Sequence, residues 1–202
     1  MVRADSNIQT LDDLSGHTVS IGAEESGTER NATQILEFAG MPSSLVATKN
    51  LDYIEATKEL KAGDIDAFFC TAGLTTTVID ELSKECDIRL IPLTDTVISK
   101  MLESSLAYTS EVIPAGTYTG QTTDINTIGV KSVLITKADV SDDTIEQLTS
   151  LLFEKENEIS YSNSLKLELT YDFATDDIPI PFHDGAKRYY NCLLYTSDAA
   201  DE

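Results

Sequence analysis

The residues best suited by type and spacing to do chemistry are Ile21-Gly22-Ala23-Glu24-Glu25-Ser26-Gly27-Thr28-Glu29. A β-branched run ends in a glycine-containing turn, and a helix is predicted to begin at the Ser-Gly-Thr cluster. Such a helix start offers unpaired backbone N–H groups, two hydroxyls and the positive end of the helix dipole. Ser26, Gly27 and Thr28 are therefore candidates for holding a carboxylate or phosphate at the carboxyl edge of a parallel sheet, where open α/β folds take their ligands. The competing reading is ordinary capping by Ser26 or Thr28, which needs no ligand. The segment carries neither the G-K-[ST] of a Walker loop nor the G-x-G-x-x-G of a dinucleotide turn.

Nucleophilic and metal chemistry find less support. Cys70, Cys86 and Cys192 are widely spaced, with no C-x-x-C pair and only His17 and His183 to join them. Neither a metal site nor a disulfide framework is expected from that spacing. Cys70 closes a predicted strand and Cys86 precedes the next. A parallel crossover would put them at opposite edges of the sheet, beyond the roughly 7 Å that a disulfide allows between Cα atoms. Cys70 follows Phe68-Phe69 and reads as a small, inert core residue. His17 reads as a strand-edge residue, His183 as a cap or stacking partner, and Tyr189-Tyr190 as a packed helix face. Glu29 suits the first turn of a helix as a complement to the dipole. No catalytic residue and no cofactor is expected, and the chain is not read as an enzyme.

The elements that must position these residues follow an alternating rhythm. Residues 11–16 form a short helical turn stopped by Gly16, and residues 18–21 a strand. Ala32, Ile35, Leu36 and Ala39 mark a helix stopped by Gly40, through i, i+3, i+4, i+7 spacing. Residues 45–47 are the second strand, Tyr53, Ala56 and Leu60 the next helix, and residues 66–70 a buried strand. Val78 and Leu82 mark a helix, residues 88–91 a strand, and Val97, Met101 and Leu102 a further helix. A β-α-β-α-β-α order predicts an α/β fold, with a parallel sheet covered by helices. After Pro114 the pattern changes to a turn-rich stretch through Thr123, then strands at 127–130 and 133–136. Ser141 caps a predicted helix with an apolar face at Ile145, Leu148 and Leu152, while residues 165–173 fit strand or helix equally.

Four segments in this order resemble one family. Leu11-Asp12-Asp13-Leu14-Ser15-Gly16-His17-Thr18-Val19-Ser20-Ile21-Gly22 with Ser26-Gly27-Thr28-Glu29 resembles the TAXI family of TRAP-transporter solute-binding proteins. So do Gly63-Asp64-Ile65-Asp66-Ala67-Phe68-Phe69 with Gly73, and Ile113-Pro114-Ala115-Gly116-Thr117-Tyr118-Thr119-Gly120-Gln121. The fourth is His183-Asp184-Gly185-Ala186-Lys187-Arg188-Tyr189-Tyr190, with Asp184 in place of the proline of the family's H-P-G-A signature. Glu25 likewise stands where the family usually has glycine.

The resemblance implies a periplasmic-binding-protein-like fold of type II, with two hinged parallel-sheet domains closing over a ligand. It divides the chain into residues 1–10 as a remnant of the first domain and hinge, 11–111 as a whole middle ligand-binding domain, 112–125 as a crossover and 126–191 as a return to the first domain. The first domain would be incomplete, its opening part and a signal sequence preceding Val2. The implied ligand is a small carboxylate or amino acid such as glutamate, a 2-oxoacid or a dicarboxylate. The implied partners are the membrane subunits of a TRAP transporter, and the implied compartment is the periplasm. Thr71 and Gly73 join Ser26, Gly27 and Thr28 as candidate ligand-binding residues, with Tyr118 as a hinge or cleft aromatic. The alternative is a ligand-sensing domain of the same fold within a regulatory protein.

Composition narrows the partners. Asp and Glu number 35 against 14 Lys and Arg, a formal charge of −21, which repels phosphate backbones and anionic lipid and makes nucleic acid a poor partner. Residues 192–202 break the preceding periodicity and back-translate to a transposase-type sequencing adaptor through Asp201, so they are read as an artefact and set aside from fold reasoning.

Overall fold

A computed structural model describes residues 1–155 and 169–198. The chain forms two compact units, Met1–Val130 and Lys131–Glu202.

In the first unit the strands are β1 (Val2–Arg3), β2 (Thr18–Ser20), β3 (Ala47–Lys49), β4 (Ala67–Phe68) and β5 (Ile88–Arg89), ordered β3-β2-β4-β1-β5. β2 runs parallel to β3 and β4, in register Val19 with Thr48 and Ala67. The expected α/β sheet is thus present, with one refinement: it is mixed. β1 enters antiparallel between β4 and β5. Two residues are too short a strand to register as a period, yet Val2 is fully buried, with strands paired on both its sides.

Helices α1 (Gly27–Phe38), α2 (Tyr53–Ala62), α3 (Thr77–Glu85) and α4 (Asp95–Ser104) cover the sheet. Their boundaries follow local chemistry. Asp52 and Thr94 cap α2 and α4 by accepting from the N–H groups of Glu55 and Val97, and Gly63 ends α2 at φ 83°. Because strand side chains alternate, neighbouring residues feed different cores. Val19 and Ala67 pack with Ala32, Ile35, Leu36, Val97 and Met101 in one cluster. Phe68 packs with Ala56, Leu60, Ile79, Leu82 and Tyr118 in another. The second strand begins two residues later than expected. Leu45 still belongs to a turn, its N–H on the Pro42 carbonyl at 2.8 Å, and pairing starts with Thr18 opposite Ala47.

β6 (Tyr108–Ile113) and β7 (Ile125–Val130) make an antiparallel pair in a second sheet. β6 was not expected from the sequence. The turn between them explains the Ile113–Gln121 motif. Gly116 and Gly120 take φ of 81° and 80°, and the Gln121 amide donates to the Pro114 and Thr123 carbonyls at 3.0 Å each.

In the second unit, α5 (Asp142–Glu154), α6 (Tyr171–Thr175) and α7 (Asp184–Asp198) are described. Ser141 caps α5 as expected, accepting from the Thr144 N–H at 3.2 Å. The strand expected at 133–136 is absent. No regular element spans 131–137, and Leu134 and Ile135 are 67% and 72% exposed. Of the ambiguous segment, residues 165–168 lie outside the described residues, and Tyr171 to Phe173 are helical. The His183–Tyr190 motif builds a helix start. His183 Nδ1 accepts from Gly185 N–H at 3.1 Å, and a Cβ on Gly185 would sit 2.2 Å from the Asp142 carbonyl oxygen, so only glycine lets α7 approach α5 this closely. Arg188 bonds Asp142 and Asp143 at 2.8 and 3.2 Å, and Tyr189 and Tyr190 pack on Phe153 at ring separations of 5.5 and 6.0 Å.

Candidate functional site

Three loops leave the carboxyl edge of the first unit's sheet: 21–26 after β2, 50–52 after β3, and 69–76 after β4. The first delivers α1, the second α2, and the third carries Thr71 and Gly73. These loops hold the polar cluster that the sequence pointed to.

Ser26 is the N-cap of α1, its Oγ accepting from Glu29 N–H at 3.1 Å. Capping is therefore real, but it uses a lone pair and leaves the Ser26 hydroxyl proton available. Glu29 lies in the first turn of α1, as expected, and its carboxylate also ties loops together. Its Oε2 accepts from Glu25 N–H at 2.6 Å and its Oε1 from Asn50 Nδ2 at 2.8 Å. Asn50 Nδ2 also reaches the Gly22 carbonyl at 3.1 Å, binding the 50–52 loop to the 21–26 loop.

Glu25 takes φ 60°, in the left-handed region. A glycine fits that backbone without strain, which gives a physical reason for the glycine that the resembling family carries there. Glu24 and Glu25 are both exposed. Gly22, at φ 100°, is held more strictly: a Cβ would lie 2.7 Å from that of Thr28.

Thr28 is only 6% exposed, and its Oγ1 lies 2.7 Å from the Tyr53 hydroxyl. Tyr53 also donates to the Thr71 carbonyl at 2.9 Å and accepts from Thr71 N–H at 3.2 Å. Asn31 Nδ2 donates to Thr71 Oγ1 at 3.2 Å, and Tyr108 donates to Asn31 Oδ1 at 2.8 Å.

The structure thus brings Ser26, Gly27, Thr28 and Thr71 to one edge. Gly73 sits exposed on the same loop as Thr71. Tyr118 packs under the 69–76 loop and also lines a cavity beside β5. It is 4% exposed within the Phe68 cluster, where burial raises its phenol pKa, and its hydroxyl donates to the Leu74 carbonyl. It supports the 69–76 loop from beneath. Tyr53, Asn31 and Asn50 were missed. The one signal available was that Tyr53 opens a predicted helix at the carboxyl edge, the position where side chains reach a ligand.

Other reactive groups lie apart or are already engaged. His17 precedes β2 at the amino edge, its Nδ1 3.2 Å from Asp66 Oδ2. Burial pushes the Cys70 thiol up to about 11, which leaves little thiolate near neutrality. A cavity of about 500 Å³ beside β5 includes Arg89 and Gln121 in its walls. Its guanidinium already donates to the carbonyls of Ala4, Ser6 and Ile8 at 2.6, 3.2 and 3.0 Å. Cys70 and Cys86 are free thiols, and among the described residues no group of three or more His, Cys, Asp and Glu is placed to hold a metal ion.

A mixed sheet with helix starts and polar loops gathered at its carboxyl edge places the chain among open α/β folds. Residues 1–191 match the NMT1-like family, and the chain belongs to it. Among solved structures, the periplasmic aliphatic sulphonate binding protein SsuA from Escherichia coli is similar at a TM-score of 0.40 and 16% identity, over 100% of this chain. The chain spans 64% of the length of that protein.

Proposed function

We propose that this chain belongs to an extracytoplasmic solute-binding protein that captures a small carboxylate or amino acid, such as glutamate, a 2-oxoacid or a dicarboxylate. It would act in the periplasm and deliver its ligand to the membrane subunits of a TRAP transporter, as a TAXI-type member of its family. Membership of the NMT1-like family and the four ordered TAXI-like segments support this reading. The observation that carries it is the gathering of Ser26, Gly27 and Thr71 beside Thr28 and Tyr53 at the sheet's carboxyl edge. Available there are the Ser26 hydroxyl proton and the backbone donors of a helix start, groups that complement an oxyanion. The site is read as binding rather than catalytic, since Cys70 is held as a thiol and His17 stands at the opposite edge.

Calorimetric titration of the protein with L-glutamate, 2-oxoglutarate and succinate tests the reading, with an aliphatic sulphonate as control. One of the carboxylates is expected to bind, and Ser26→Ala to weaken it by roughly 1.5–3 kcal/mol, the worth of a hydrogen bond to a charged group. Binding of the sulphonate alone, or equal affinity in the Ser26 variant, would overturn the proposal.

A further inference from the structure

We infer that Tyr53 is the positioning residue of this site: it fastens the start of α1 to the 69–76 loop and makes no hydrogen bond of its own to the ligand. A phenol has one proton and accepts up to two hydrogen bonds. The Tyr53 proton goes to the Thr71 carbonyl at 2.9 Å. Its oxygen accepts from Thr71 N–H at 3.2 Å. Thr28 Oγ1 at 2.7 Å and the Cys70 thiol take up what is left of its hydrogen-bonding capacity. Tyr53 is then saturated.

The Thr28 hydroxyl turns inward, so the donors left for an oxyanion at α1 are the Ser26 hydroxyl and the backbone N–H groups. The two segments offered to the ligand, 26–28 and 71–73, meet at the Tyr53 oxygen, which bonds Thr28 and the Thr71 backbone. Asn31 adds a second tie through Thr71 Oγ1 at 3.2 Å, but it reaches only the side chain and leaves the Thr71 backbone to Tyr53.

The test is Tyr53→Phe in the 202-residue chain, read by amide hydrogen exchange. The Thr71 amide is expected to exchange at least tenfold faster, while the α2 amides at Ala56 and Leu60 stay within about twofold, as local opening requires. Unchanged protection at Thr71, or a rise shared equally by α2, would overturn the proposal. Asn31→Ala, which leaves the Tyr53 bonds in place, is expected to keep the Thr71 amide protected; loss of protection there would assign the tie to Asn31 instead. Adding L-glutamate separates this inference from the solute-binding reading on which its ligand role rests. Shifts of the Gly27 and Thr71 resonances are expected in the unmodified chain, and about tenfold more glutamate should be needed in the Tyr53 variant. No shift in the unmodified chain, with Thr71 still deprotected by Tyr53→Phe, would sink the glutamate reading and leave the tie standing. Equal glutamate responses in both chains would remove Tyr53 from the positioning role.

Discussion

The two units use apolar sequence differently. In Met1–Val130, a five-stranded sheet sends alternate side chains to two clusters, and Val2, Val19, Leu60 and Met101 are completely buried. In Lys131–Glu202, the described helices bury Ile145 and Ala186, while Val133, Leu134, Ile135, Leu151 and Phe173 remain substantially exposed. Composition alone would not separate the units, because 133–136 is as apolar and β-branched as the segment that became β2. Strand pairing does separate them. Thr18–Ser20 has neighbours on both sides, Ala47–Lys49 and Ala67–Phe68. Among the described residues, 133–136 has none. A strand is a property of a pair, and β propensity without a partner leaves backbone groups to water.

Removing one large apolar side chain from each unit should separate the two most clearly. Phe68→Ala deletes a ring that is 1% exposed between α2 and α3 and is expected to cost about 3–5 kcal/mol, the range for buried aromatics. Leu134→Ala acts on a side chain that is 67% exposed and should change stability by no more than about 0.5 kcal/mol. Chemical denaturation followed by circular dichroism checks both. A large loss at Leu134 would mean that the second unit has a core around 131–137 after all.

A smaller effect is expected where each unit needs a missing Cβ. Gly22→Ala would place a methyl 2.7 Å from Thr28 Cβ at a φ of 100°, and Gly185→Ala would place one 2.2 Å from the Asp142 carbonyl oxygen. Overpacking of this kind costs roughly 1–3 kcal/mol. The locations predict different readouts. Gly22→Ala should loosen the start of α1 and expose the Thr28 amide to exchange. Gly185→Ala should part α7 from α5 and alter the near-ultraviolet signal of the Phe153, Tyr189 and Tyr190 cluster. If either variant disturbs both signals equally, the units do not respond separately.

How much could be read beforehand differs between the units for the same reason. The helices α1, α2 and α5 were legible because capping and 3.6-residue periodicity are local: Ser26, Asp52 and Ser141 each cap as their types favour. β1 was not legible, since Val2–Arg3 is defined only by its partners at Ala67 and Arg89. β6 was missed for a related reason, its six residues being fixed by pairing with Ile125–Val130. At the candidate site, Ser26, Gly27 and Thr71 followed from chain order. Tyr53 and Asn31 did not, because their bonds to Thr71 span 18 and 40 residues of sequence. The burial of Tyr118 was not legible either, because an aromatic in a turn-rich motif gives no sign of how far it packs into a core.

The smallest expected effect concerns backbone strain, present once in each unit among the described residues. Glu25 and Asp177 are the two described non-glycine residues with positive φ, at 60° and 55°. An unbranched side chain in the left-handed region costs about 1 kcal/mol relative to glycine, whereas Asp is among the residues that visit it most readily. Replacing Glu25 removes no side-chain hydrogen bond from the site, since its tie to Glu29 runs through the backbone N–H. Glu25→Gly should therefore stabilise the first unit by about 0.5–1 kcal/mol, offset in part by the added freedom of the unfolded chain. Asp177→Gly should give less than half of that. Paired urea titrations, with exchange at Thr28 and at Ala186 as local reporters, measure both. A gain at Asp177 equal to that at Glu25 would show that strain is not concentrated beside the sheet's carboxyl edge. A loss at Glu25 would mean that its carboxylate makes a favourable interaction that outweighs the strain of its backbone.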